Sequence, residues 1–110
     1  MSLLDFNIVN LTPHAINIVS EEDGINITIP ASGVVARVAA TVTKLDKGIF
    51  ATAYGDVEGL PEPVEGTVYV VSGLVLSALA GSREDVYAPA TTLAARNEAG
   101  QIVSVPGLVR

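Results

Sequence analysis

The sequence predicts a mainly β fold: one compact domain over residues 1–110, built as a small sandwich or open barrel, with one short α-helix near residues 73–81. Three observations predict it. Val, Ile and Thr dominate the chain, and these are residues that pack well on a pleated surface. Ten glycines and six prolines punctuate it every several residues, as many short strands require. Good helix formers make no long run at helical spacing except once, after Ser72.

The elements follow in order. "MSLLDFNIVN" has neither the basic start nor the long apolar run of a secretory signal, so none is expected. "NLTPH" reads as a corner: Asn10 and Thr12 bond to nearby backbone, Pro13 stiffens the turn and His14 opens a strand. In "AINIVSEEDGINITIP", Ile16 and Ile18 alternate with Asn17, and Ile25, Ile27 and Ile29 alternate with Asn26 and Thr28. The intervening "SEEDG" suits a type I turn closed by a left-handed glycine, so this stretch is a hairpin.

"IPASG" turns the chain before the extended run "VVARVAATVTKL", in which Val34, Ala36 and Val38 share one face and Val35, Arg37 and Ala39 the other. "DKG" reads as a turn into "IFATAYGDV". "EGLPEPVEG" is a loop held extended by its prolines. "TVYVVSG" is nearly continuously apolar, as a central strand covered on both faces would be, and Tyr69 belongs to its core. Then comes the helix, with Ser72 as N-cap and Gly81 as stop; at about two turns it must be held by packing. "DVYAPA" reads as a further strand. Leu93–Arg96 and Gln101–Val105 form a last hairpin about the turn "NEAG".

Composition limits the chemistry. The chain has no cysteine, which removes disulfides, thiolate catalysis and zinc ribbons together and fits a reducing compartment, the cytoplasm by default. A net charge of −6 with only six basic residues argues against a nucleic-acid backbone binder. No apolar stretch is long enough to span a bilayer. With 49% apolar and 16% charged residues, some apolar surface is expected to be covered by another subunit, in a homo-oligomer.

No catalytic or metal signature stands out. His14 is the only histidine and has no second histidine or cysteine to share a metal. "EEDG" lacks the alternating oxygen ligands of a calcium loop, and neither a P-loop nor a "GxSxG" elbow occurs. No cofactor is expected. The arginines carry more interest, because a guanidinium grips an anionic group through two parallel hydrogen bonds. Their alternative role is pairing with carboxylates such as Asp85 or Glu98. The candidate ligand-binding set is therefore Asn10, Thr12 and His14 as polar contacts, Arg37, Arg83 and Arg96 on charged oxygens, and Tyr54 or Tyr87 as a stacking face.

Together "NLTPHAINIV", "IPASGVVARV", "YGDVEGLPEPVEGTVYVVSGLV" and "REDVYAP" resemble a family of small proteins of phages, prophages and bacterial genomes, along nearly the whole chain. The chain departs from that pattern at Ala31, where a second proline is usual, and at Asn97, where an acidic residue is expected. The resemblance implies a phage or mobile-element context. It leads to an expected non-enzymatic protein that sequesters a small anionic ligand, such as a cyclic nucleotide or ADP-ribose derivative used as a host defence signal. A structural or protein-interaction module, as a virion accessory or host-protein inhibitor, is the alternative. A small hydrolase using His14 as base is the third.

Overall fold

The computed structural model describes residues 3–110, without the side chain of Thr92; Met1 and Ser2, part of the expected domain, lie outside the described residues. The chain is mainly β with one short helix, its strands are divided among several sheets, and no barrel closes. Four strands form the central sheet: β1 (Asn7–Asn10), β6 (Thr67–Val70), β7 (Val86–Pro89) and β10 (Leu108–Val109), in the order β1-β6-β7-β10. β6 runs parallel to both β1 and β7, while β10 is antiparallel to β7. Parallel neighbours need a crossover, and the helix α1 (Gly73–Leu79) lies within the one from β6 to β7.

The unbroken apolar run of β6 is explained by what covers it. Tyr69 and Val71 enter one core with Leu11, Val75 and Val86, against which Leu76 and Leu79 of α1 pack. Val70 enters the opposite core with Ile16, Ile18, Ile25, Ile29 and Val105. Those isoleucines come from the hairpin of β2 (Ile16–Ser20) and β3 (Ile25–Ile29), whose alternation puts every second residue inward. The result is three layers: hairpin, sheet and helix. Each fully buried Val, Leu or Ile side chain contributes about 1.5–3 kcal/mol, so these two cores hold the body together.

Local chemistry sets the boundaries. Gly24 closes the β2–β3 turn at φ 68°, its N–H donating to the Glu21 carbonyl at 3.2 Å. The Ser72 hydroxyl caps α1 by accepting from the Val75 N–H at 3.3 Å. The helix ends at Leu79 rather than at residue 81, because Ala80 already turns left-handed (φ 50°) ahead of Gly81. The proline-rich loop before β6 is pinned at two points: the Tyr69 hydroxyl donates to the Glu62 carbonyl at 3.1 Å, and Arg83 donates to the Pro61 carbonyl at 3.0 Å. The last hairpin is shorter than the sequence suggests. β8 (Ala95–Arg96) pairs with β9 (Ile102–Ser104), while Thr91–Leu93 winds as a 3-10 turn.

One element leaves the body. Among the described residues β4 (Arg37–Asp46) and β5 (Ile49–Glu58) pair with each other alone, as two ten-residue antiparallel strands. Val38 and Val57 at the root pack on the helix-side core, and every other residue of the pair is exposed. Val34, expected to share one face of an extended run with Ala36 and Val38, is half exposed and precedes the strand, which begins only at Arg37, after Ala36 donates to the Leu11 carbonyl at 2.9 Å.

Candidate functional site

The corner after β1 is built around Asn10, which is 1% exposed. Its Oδ1 accepts from the Thr12 N–H at 2.9 Å, an Asx-turn, and lies 2.6 Å from the Thr12 hydroxyl. Its Nδ2 donates to the carbonyls of His14 at 2.8 Å and Ile29 at 3.1 Å. All of the Asn10 amide's contacts are therefore internal. It joins β1, the corner and the end of β3.

Beside this corner runs a cleft of about 570 Å³, between residues 12–17, the start of α1, Pro89 and residues 102–105. Thr12 and His14 line it, with Asn17 and Ser104 as further polar groups. The Asn17 amide is engaged there, donating to Val103 and accepting from the Thr28 hydroxyl. His14 is the only ionisable side chain on the lining. Its lining holds no arginine among the described residues.

The other sequence candidates lie elsewhere. Arg83 makes two 2.8 Å hydrogen bonds to the carboxylate of Asp85, and these bonds hold Asp85 below the usual carboxylate range and raise the Arg83 guanidinium. Its planar fork is taken up by that pair and by Pro61. Arg96 donates to the Gly100 carbonyl at 2.8 Å and so closes the last hairpin's turn. Arg37 faces Glu58 across the β4–β5 ladder at the root of the arm, and Tyr54 stands farther out on it. Tyr87 lines a second cleft with Phe6, Ile25 and Leu108. Of the eight candidates, Asn10, Thr12 and His14 come together at the corner, and none of the three arginines is on the lining of the cleft that Thr12 and His14 share.

What sequence reasoning missed is the face of the arm. Between its two bulges Ala40 faces Tyr54, Val42 faces Thr52 and Lys44 faces Phe50, so these six share one side. Val42 is 62% exposed and Phe50 58%, with Leu45 and Ile49 equally open at the tip. Each strand alone looks like an ordinary half-buried strand. The available signal was the high apolar and low charged share of the chain, 49% against 16%, which implied uncovered apolar surface without saying where it lies.

Comparison with family models, with curated proteins and with solved structures returns no match to this chain. Among the described residues no helix is long and apolar enough to cross a membrane, and no three His, Asp or Glu side chains cluster as metal ligands.

Proposed function

We propose that this chain is a structural, protein-interaction module that assembles with copies of itself through the β4–β5 arm. The observation that carries this reading is the open Val42–Phe50–Tyr54 face on a hairpin that, among the described residues, pairs with no other strand. A two-stranded hairpin is marginal in water, and contiguous exposed apolar residues of this size mark an interface. The resemblance to small phage proteins suits such a part, as a virion accessory or as an inhibitor that acts by contact in the host cytoplasm.

Sedimentation velocity from low to high micromolar concentration tests it. Wild type is expected to associate, while Val42→Asp with Phe50→Asp is expected to remain monomeric with an unchanged β spectrum. Each side chain is worth about 1.5–3 kcal/mol when buried, so the pair should weaken association by about two to four decades. Wild type that stays monomeric throughout removes the reading.

A second reading is favoured by the cleft beside Thr12 and His14, whose volume of about 570 Å³ falls in the range of small-molecule sites. An anionic ligand there, such as a cyclic nucleotide or ADP-ribose derivative, would meet the His14 imidazole on the lining, with any arginine or lysine supplied from beyond it, as by a neighbouring copy's arm. A thermal-shift screen of these compounds on wild type, His14→Ala and Arg37→Ala checks it. The expected result is a melting increase in wild type that His14→Ala loses, and no shift with any compound ends the sequestration reading.

A further inference from the structure

We infer that the arm tip of one copy docks into the cleft lined by Phe6, Ile25, Val68, Tyr87 and Leu108 of a second copy, with the tip lysines against that copy's acidic β2–β3 turn. This rests on the self-assembly reading above and names its receptor surface.

The tip comes first. The chain contains two lysines, Lys44 and Lys47, and both sit there. Residues 40–54 hold these two cations against one acid, Asp46, whereas the rest of the chain has four arginines and eleven acidic side chains. The tip is thus a positive, apolar knob: Leu45, Ile49 and Phe50 project around the Asp46–Gly48 turn and are each more than half exposed. Ten residues per strand carry it on the order of 30 Å from the root, far enough to reach across a neighbour.

The receptor is complementary in both properties. The cleft measures about 470 Å³; Phe6, Ile25, Val68 and Leu108 give it apolar side chains beside a polar share of the lining, and Asp23 belongs to that lining. Glu21 and Glu22 adjoin Asp23, all three are exposed, and no basic side chain lines the cleft. An apolar knob ringed by lysines therefore meets an apolar cleft rimmed by carboxylates. Complementary potentials of this kind choose the partner surface and speed the encounter. Packing one arm's face on another's gives its Lys44 no acidic counterpart from the three acids of the turn, which sit on the body. Because tip and cleft are different surfaces, the contact propagates around a ring or closes by reciprocal exchange between two copies.

Cross-linking tests it directly, since the natural chain has no cysteine. Ile49→Cys at the tip and Asp23→Cys at the cleft rim are prepared separately, mixed and mildly oxidised. The expected product is a tip-to-rim disulfide dimer formed only in the mixture. A tip-to-tip dimer of Ile49→Cys alone, in place of the mixed product, overturns the cleft assignment in favour of arm-on-arm packing. No cross-link while wild type still associates also overturns it, leaving self-assembly standing; wild type that never associates fails the underlying reading instead. In sedimentation, Lys44→Glu with Lys47→Glu should weaken association at least about ten-fold, as should Glu21→Lys with Glu22→Lys. Mixing the two charge-reversed proteins should restore it to within about three-fold, and failure of that rescue counts against the pairing.

Discussion

Asn10 sits where a single amide answers four backbone or hydroxyl groups, and its burial makes each answer expensive to lose. Asn10→Ala leaves the Ile29 carbonyl and the Thr12 N–H short of partners. At about 1–3 kcal/mol for each buried unsatisfied group, the loss should be about 2–4 kcal/mol, lowering the melting temperature by about 10 °C or more. Asn10→Asp should be as harmful near neutrality, because its second oxygen faces two carbonyls, and should recover partly in acid as the carboxyl becomes a donor; melting curves across pH read both. Asp85 gives the opposite slope. Its folded value is lowered, chiefly by the hydrogen bonds from Arg83, so its contribution is complete above the ordinary Asp value near 4 and fades as pH falls through the folded value. Asp85→Asn should therefore melt below wild type at pH 7, the two curves converging in acid as pH falls through the lowered folded value. The corner role of Asn10 and Thr12 was legible in "NLTPH", because short polar side chains before a proline bond locally. The lining of the cleft beside His14, which holds no arginine, was not, since it depends on where distant loops land.

At the scale of elements, legibility followed contact distance along the chain. The β2–β3 hairpin and the capped helix are local, and their alternation, turn glycine and Ser72 state them directly. β1 is four residues long and pairs in parallel with residues sixty positions later, so nothing near "NIVN" announces it. β8 belongs to the local hairpin that "NEAG" announces, whereas β10 is two residues long and is defined by its pairing with β7. The arm's root shows a constraint that the sequence hides entirely. Gly59 has φ 79°, and a β-carbon there would stand 2.6 Å from the Val35 carbonyl oxygen, where the chain rejoins the body after β5. Gly48 at the tip has a similar φ of 71° but open space around it. Gly59→Ala should destabilise the body by about 2–4 kcal/mol through strain and clash together. Gly48→Ala should cost the tip turn about 1–2 kcal/mol and leave the body's melting midpoint nearly unmoved. Thermal denaturation of the two variants side by side measures the contrast.

For the whole molecule, the radius of gyration is 15.6 Å, against about 13 Å for a compact domain of this length. The excess lies in the arm, which extends a body whose two cores are complete without its outer part. That separation makes a strong prediction, because the outer arm contributes no buried side chain to either core. Replacing residues 42–52 by Asn-Gly joins Thr41 to Ala53, already opposite each other, through a two-residue turn suited to antiparallel strands. The shortened protein should melt cooperatively within a few degrees of monomeric wild type, scatter with a radius of gyration near 13 Å, and stay monomeric where wild type associates. An unfolded product would mean that the arm supports the body rather than reaching beyond it. A compact, folded and still associating product would move the interface off the arm, and small-angle scattering with sedimentation on the same sample distinguishes all three.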